Sequence, residues 1–167
     1  MHPEAASKFQ LLESDLHHLK AAAGNFLFMI WRRETQAAAF TRGVGLAREL
    51  GKRQGAKIGV CQVVELEAVP PDAEARRAFQ QLLELDCVAH SSVIHDGTGF
   101  KAASVRAIVN LQILLTKPKF PHRVFGSVQE AAAFHAASEA PLGRKLEQED
   151  FGHWVAELRA LHRARFP

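Results

Sequence analysis

Two spacings of apolar residues alternate along the chain and predict its elements. Short, mostly apolar runs are typical of buried strands, whereas apolar residues three or four positions apart indicate helices with one buried face. Runs that predict strands cover residues 19–23, 26–31, 57–69, 87–94 and 120–125. Helical spacing covers residues 34–54, 72–85, 102–115, 127–137 and 149–165. Residues 7–19 fit either a short helix or a leading strand.

Turn and capping signals mark the ends of several of these elements. Gly24-Asn25 separates two apolar runs and predicts a hairpin. Pro71 precedes a helical pattern and suits its first turn. Ser127 and Glu130 have the spacing of a capping box. Strands that alternate with helices after the hairpin predict one α/β domain with a mostly parallel sheet and helices packed on it.

Two of the predicted helices carry unusual apolar surfaces. Residues 102–115 are largely apolar, and such a helix is expected to pack deeply against the sheet. The last helix carries a stripe that includes Phe151, Trp154 and Leu158. A stripe at this spacing favours a place in the core, and docking to a partner is the alternative.

Composition and charge narrow the classes of function. The 167 residues are 47% hydrophobic and 23% charged, as in an ordinary globular domain. The formal net charge is only +3, and the basic residues occur in small groups instead of one dense cluster. Nucleic-acid binding through Lys117, Lys119, Arg123 and the terminal arginines is therefore disfavoured.

The cysteines and the length of the apolar runs indicate where in the cell the protein is expected. Cys61 and Cys87 lie within predicted strands, a setting typical of reduced, buried thiols. The N-terminus lacks an apolar signal core, and the longest apolar runs are too short to cross a bilayer. We therefore expect a cytoplasmic protein that is not attached to a membrane.

Three stretches of the chain resemble the STAS family of anti-sigma factor antagonists, in its divergent bacterial form. They cover residues 58–69, 93–115 and 122–137. The closest match is Arg123-Val-Phe-Gly-Ser-Val-Gln-Glu-Ala-Ala-Ala-Phe134, which is similar to the family's closing strand and capped helix. The resemblance implies an N-terminal segment (1–18), a STAS-like domain with a single mixed sheet (19–137) and a C-terminal helical extension (138–167).

The resemblance also implies a function. Members of the family bind protein partners, often kinase-like anti-sigma factors, and are switched by phosphorylation in an Asp-Ser-Ser-Gly-like turn before a helix. Here that turn has the sequence His-Asp-Gly-Thr-Gly-Phe at 95–100, so the standard acceptor is missing, and Thr98 or Ser104 would replace it. The candidate residues for binding a partner or an anion are Asp96, Gly97, Thr98, Gly99, Phe100, Lys101 and Ser104. We expect a non-catalytic regulatory or scaffold domain, with the oligomeric state left open.

The alternative is an enzyme domain that binds phosphate or a small molecule at residues 97–101. The segment 97–102 fits the pattern G-x-G-x-x-A between a strand and a helix, which brings backbone N–H groups close to an anion. The acidic ribose ligand of a dinucleotide site, expected about 20 residues further on, is replaced by a basic segment. A tight structural turn is the simpler interpretation of the glycines.

Other reactive residues give weaker hypotheses. The nine histidines have no paired metal-ligand spacing, so we predict no metal and no cofactor. His95 and Asp96 could assemble a hydrolytic group with Ser91, Ser92 or Ser104, although no spacing requires it. Glu65 and Glu67 could pair as acid and base, but the favoured interpretation is the solvated end of a strand. We therefore predict no catalytic residue.

Overall fold

The computed structural model describes residues 9–167, except for the side chains of Lys101, Gln112 and Ile113. Residues 7 and 8, where the first predicted element begins, lie outside the described residues. The strands are β1 (Gln10–Ser14), β2 (His18–Ala23), β3 (Phe26–Trp31), β4 (Ile58–Val64), β5 (Val88–Ile94) and β6 (His122–Phe125). The helices are α1 (Ala37–Gln54), α2 (Ala73–Leu83), α3 (Gly99–Thr116), α4 (Val128–Glu139) and α5 (Gln148–Arg165), with a 3₁₀ turn at Ala140–Leu142.

The six strands form one mixed sheet in the order β1-β2-β3-β4-β5-β6. The pairs β1–β2 and β2–β3 are antiparallel, and the three later pairs are parallel. This confirms the predicted fold class: an α/β domain with a single mixed, mostly parallel sheet, helices packed on it and a C-terminal helix. The leading segment is a strand and not a helix.

Local sequence signals explain where several elements begin and end. The hairpin between β2 and β3 turns at Gly24, which has a positive φ of 52°. The Asp72 side chain caps α2 by accepting a hydrogen bond from the Ala75 N–H. Ser127 caps α4 by accepting a hydrogen bond from the Glu130 N–H, which confirms the predicted helix start, and its hydroxyl donates to the Glu130 carboxylate at 3.0 Å.

The helices cover both faces of the sheet. The helices α1 and α2 pack on one face in a cluster that contains Leu27, Trp31 and Val60. The opposite face carries α4 and α5, which pack on Phe28 and Cys61. Alternate residues of β3 and β4 therefore enter two separate cores, as the pleat of a strand requires.

The stripe of α5 belongs to the second core. Phe151 and Leu158 are fully buried, and the partly buried Trp154 packs against the same core, which confirms the favoured interpretation of that stripe. The thiol of Cys61 is also buried there, and burial raises its pKa to about 12. Neither Cys61 nor Cys87 forms a disulfide. Within residues 9–167, no helix has both the length and the apolar character needed to span a membrane.

Candidate functional site

The candidate residues lie together where β5 ends and α3 begins. Asp96 is half-buried and Gly97 is buried, whereas Thr98, Gly99 and Phe100 are exposed. Ser104 is half-buried one turn into α3, where its hydroxyl donates to the Phe100 carbonyl at 2.9 Å. The side chain of Lys101 lies outside the described residues. Because β4 and β5 are parallel, this segment lies at the edge where their carboxyl ends meet, the usual place for a binding site in an open α/β sheet.

Arg159 of α5 joins the carboxyl ends of these two strands. Its guanidinium donates to both oxygens of Glu65, at 2.8 and 2.6 Å, and to both oxygens of Asp96, at 2.7 and 3.1 Å. The hydrogen bonds from Arg159 lower the pKa of Asp96. The C-terminal helix is therefore fastened to the candidate site by charge-assisted hydrogen bonds, which are stronger than neutral ones.

The position of Glu65 corrects the expectation that it is the solvated end of a strand. Its side chain is only 3% exposed and is paired with Arg159. Glu67 is exposed, so these two carboxylates do not form an acid–base pair. The partner of Glu65 comes from a helix 94 residues further along the chain, and no local pattern indicates it.

The glycines of the turn have structural explanations. A Cβ atom on Gly97 would lie 2.2 Å from Leu66 Cδ2 and 3.3 Å from Ala102 Cβ. Gly99 has a φ of +87°, in the region that favours glycine. Arg106 donates to the carbonyl oxygens of His95 and Gly97, both at 3.1 Å, and so holds the turn closed. These contacts favour the structural turn over the phosphate-binding interpretation.

The outer face of α3 is exposed and apolar. Phe100 is 90% exposed, Leu114 73%, Leu115 75%, Leu111 58% and Ile108 41%. We call these five residues the α3 outer face. The prediction that this helix packs deeply against the sheet is therefore wrong for its outer side. Only an inner face, which includes Ala102 and Val105, is buried.

The chain around this face has a one-sided charge. Residues 97–129 contain no Asp or Glu. They contain five Lys and Arg residues, at positions 101, 106, 117, 119 and 123. Lys119 forms an exposed pair with Asp86, and Lys117 and Arg123 are exposed near the end of α3. The segment that carries the α3 outer face thus combines large apolar side chains with Lys and Arg and contains no acidic residue.

A buried chain of polar side chains connects β5 to α4. The Ser92 hydroxyl lies 2.7 Å from His135 Nε2, and His135 Nδ1 lies 2.8 Å from His90 Nδ1. His90 Nε2 lies 2.6 Å from a Glu139 oxygen, and Arg144 donates to both Glu139 oxygens. No side chain of the chain Ser92–His135–His90–Glu139 is more than 3% exposed. We call these four residues the buried histidine chain.

When both histidines are neutral, each side chain in the buried histidine chain has a hydrogen-bond partner. Burial lowers the pKa of both His90 and His135, which favours their neutral forms. Ser92 then donates to His135, His135 donates to His90, and His90 donates to Glu139. Burial acts to raise the pKa of Glu139, but hydrogen bonds from Arg144 and His90 outweigh it and lower that pKa. The result is a continuous line of hydrogen bonds in a low-dielectric setting.

The hydrolytic group considered from the sequence is not assembled. His95 Nδ1 donates to the Val64 carbonyl at 2.8 Å, and Ser91 pairs with His122 on the other face of the sheet. Ser92 does meet a histidine, but it is completely buried and has no surface for a substrate. In the part of the chain that the structure describes, no group of three His, Cys, Asp or Glu side chains is placed to hold a metal ion.

Fold and site together define an α/β domain with a buried polar chain and one exposed apolar helix. Comparison with protein-family models, with curated proteins and with solved structures finds no match to this chain. The resemblance to the STAS family therefore stays a prediction from the sequence.

Proposed function

We propose that this domain is a non-catalytic regulatory or scaffold module that binds a protein partner through the α3 outer face and the preceding turn. The observation that supports the proposal is the exposure of Phe100, Leu111, Leu114 and Leu115, each more than half exposed on one helix. Contiguous exposed apolar patches on a folded domain are typical of interaction sites.

The free energy of burying apolar side chains shows how much this surface can contribute to binding. Full burial of a Leu or Phe side chain is worth about 1.5–3 kcal/mol relative to leaving it exposed. Four such side chains on one helix can therefore supply the apolar centre of an interface. The helix is held at its start by the Arg106 contacts with the turn, so little ordering is needed when a partner binds.

Charge indicates the kind of partner. Residues 97–129 carry cations and no anions, so two copies of this surface would repel each other. A partner that offers an apolar groove bordered by Asp and Glu is complementary to it. We therefore propose a different protein with an acidic border, and not a second copy of this chain.

The first prediction concerns two leucines of the α3 outer face. The double variant Leu111→Ser/Leu115→Ser is expected to weaken partner binding at least tenfold, because buried anchors at an interface each contribute more than about 1 kcal/mol. Its free energy of unfolding should change by less than about 0.5 kcal/mol per site, as at other exposed positions. Affinity capture from native lysate, followed by titration of the purified partner, measures both the loss and its size.

Leu142→Ser is the matched control, because Leu142 is also an exposed leucine but lies on the turn after α4. A partner retained by wild type and Leu142→Ser, and lost by the double variant, supports the proposal. Three results would overturn it: no protein lost selectively by the double variant, a dimer of this chain that the double variant abolishes, or loss of binding only to vesicles of anionic lipid.

The second prediction concerns the phosphorylation switch. Thr98 is exposed and directly precedes α3, whereas the Ser104 hydroxyl is already bonded within the helix. A phosphate on Thr98 would add a charge of about −1.5 to −2 to residues 97–129, a segment without Asp or Glu. Thr98→Glu is therefore expected to weaken binding to an acidic-bordered partner roughly threefold or more, since repulsion opposes association. Equal affinities of Thr98→Glu and the neutral control Thr98→Gln, measured by titration, would contradict a switch at this position.

A further inference from the structure

The outer edge of β6 presents backbone groups that no strand pairs with. Among the described residues, β6 ends the strand order and pairs only with β5. The carbonyl oxygens of Pro121 and Phe125 accept hydrogen bonds from N–H groups on the β5 side, at 2.9 and 3.0 Å. Because the peptide groups of a strand point to alternate sides, those of His122 and Val124 face away from β5.

The other edge of the sheet is less suited to a further strand. The pairing of β1 with β2 is irregular between Leu11 and Glu13. A bulge of this kind increases the local twist and is a common protection of sheet edges. The register of β6 on β5 has no such irregularity over its four residues. Of the two edges, β6 therefore offers the more regular row of backbone groups.

A groove of about 400 Å³ runs along this edge, between β6 and α3. Its described lining consists of two residues of α3 and the whole of β6: Asn110, Leu114, His122, Arg123, Val124 and Phe125. Successive side chains of a strand point to opposite faces, so a groove lined by four consecutive strand residues follows the edge and not one face. The space beside the outward peptide groups is therefore open.

The two faces of the groove differ in chemistry. Val124 packs against the first core, on the side of α3, where Leu114 is 73% exposed. Phe125 packs against the second core, so Arg123, two positions before it, lies on that face, and it is exposed. No described residue of the lining is Asp or Glu. A strand in the groove would meet an apolar side chain on one face and a cation on the other.

We infer that an extended segment of the partner, in which apolar and acidic residues alternate, adds to the free edge of β6 as a seventh strand of the sheet. Its backbone pairs with the peptide groups of His122 and Val124. Its apolar side chains contact Leu114, and its carboxylates lie near Arg123. In such strand addition, backbone hydrogen bonds supply affinity and side chains at alternate positions supply selectivity.

The inference rests on the proposed function, because it names the part of the partner that lies beside the α3 outer face. A second copy of β6 fits the groove less well. It would bring two Arg123 side chains to one short ladder, and like charges on paired strands are destabilising.

Short peptides test strand addition on the full chain, without any partner protein. The probe is the acetylated and amidated peptide Glu-Val-Glu-Val-Glu-Val, titrated into the ¹⁵N-labelled chain. One control peptide has Lys in place of each Glu, and a second carries a methyl group on every backbone nitrogen. We expect saturable binding of the glutamate peptide. The lysine peptide should bind about threefold or more weakly, because it repels Arg123. The methylated peptide should bind about fivefold or more weakly, because it lacks the backbone donors.

Hydrogen exchange at single amides locates the bound peptide. Saturation with the glutamate peptide should slow exchange of the Val124 amide, which faces the groove, by about tenfold or more. The Arg123 amide, which faces β5, should be slowed much less. The variant Arg123→Glu should reverse the preference and bind the lysine peptide more tightly than the glutamate peptide.

The inference is overturned if the glutamate peptide does not protect the Val124 amide, if the methylated peptide binds as tightly, or if Arg123→Glu leaves the preference unchanged. Protection of Val124 that arises on concentrating the chain without peptide would also overturn it, in favour of a second copy. The three peptides compared on the wild-type chain decide the matter even if the variant does not fold. Capture of a partner through Leu111 and Leu115 is a separate measurement, so failure of strand addition is distinguished from failure of the proposed function.

Discussion

Replacement of Arg159 by methionine is expected to lower the free energy of unfolding by about 3–5 kcal/mol, the usual result of removing one partner from a buried ion pair. Methionine keeps an apolar stem of similar length, but Glu65, at 3% exposure, is left without the bidentate partner that Arg159 provides. Asp96 loses both of its Arg159 contacts as well. Urea denaturation followed by circular dichroism measures the change.

Arg163→Met is the control for this prediction. Arg163 lies on the same helix and approaches the same Glu65 oxygen at 3.4 Å, but its side chain is 55% exposed. Exposed ion pairs contribute about 0–1 kcal/mol, so this variant should remain close to wild type. Similar losses in Arg159→Met and Arg163→Met would show that Arg159 does not fasten α5 to the sheet.

The second large effect is expected in the buried histidine chain. Glu139→Leu should lower the free energy of unfolding by about 3 kcal/mol, because it leaves the His90 Nε2 proton without an acceptor in the core. Arg144 also loses its bidentate partner. Since each member of the chain donates to the next, the loss extends to the His135 and Ser92 hydrogen bonds.

Glu147→Leu provides the comparison, because Glu147 also forms an ion pair, with Lys145 at 2.6 Å, but both side chains are more than half exposed. Its removal should change the free energy of unfolding by less than about 1 kcal/mol. If Glu139→Leu is as stable as Glu147→Leu by urea denaturation, the buried histidine chain contributes nothing to the fold.

Features set by neighbours in sequence could be predicted. The hairpin at Gly24 and the helix start at Ser127 each depend on residues within a few positions, and the structure has both. The helix after Pro71 is also present, although its cap is Asp72 and Pro71 precedes its first turn. The alternation of strands and helices then restricts the topology, because parallel strands need crossover helices. The fold class follows from these local signals.

Features that join distant segments could not be predicted. Glu65 and Arg159 are 94 residues apart, and His90 and His135 are 45 residues apart. A lone buried Glu or His has no periodic signature, so no pattern in the sequence indicates either pairing. Only the tertiary fold brings these partners together.

The helix α3 shows why apolar character alone does not predict which residues are buried. Its sequence is apolar on nearly all sides, which predicted burial. Among the strands, α3 has its principal contact with β6, a strand of only four residues at the edge of the sheet. One sheet can cover only one face of a helix, so the other apolar face stays at the surface.

Site-specific photo-crosslinking tests the proposed docking surface most directly. A photoreactive amino acid would be placed at position 111 on the α3 outer face and, in a second protein, at position 142 on the turn after α4. The account predicts a covalent adduct with one partner protein from position 111, absent from position 142 and reduced by the Thr98→Glu substitution. No adduct from position 111, or the same adducts from both positions, would contradict the account.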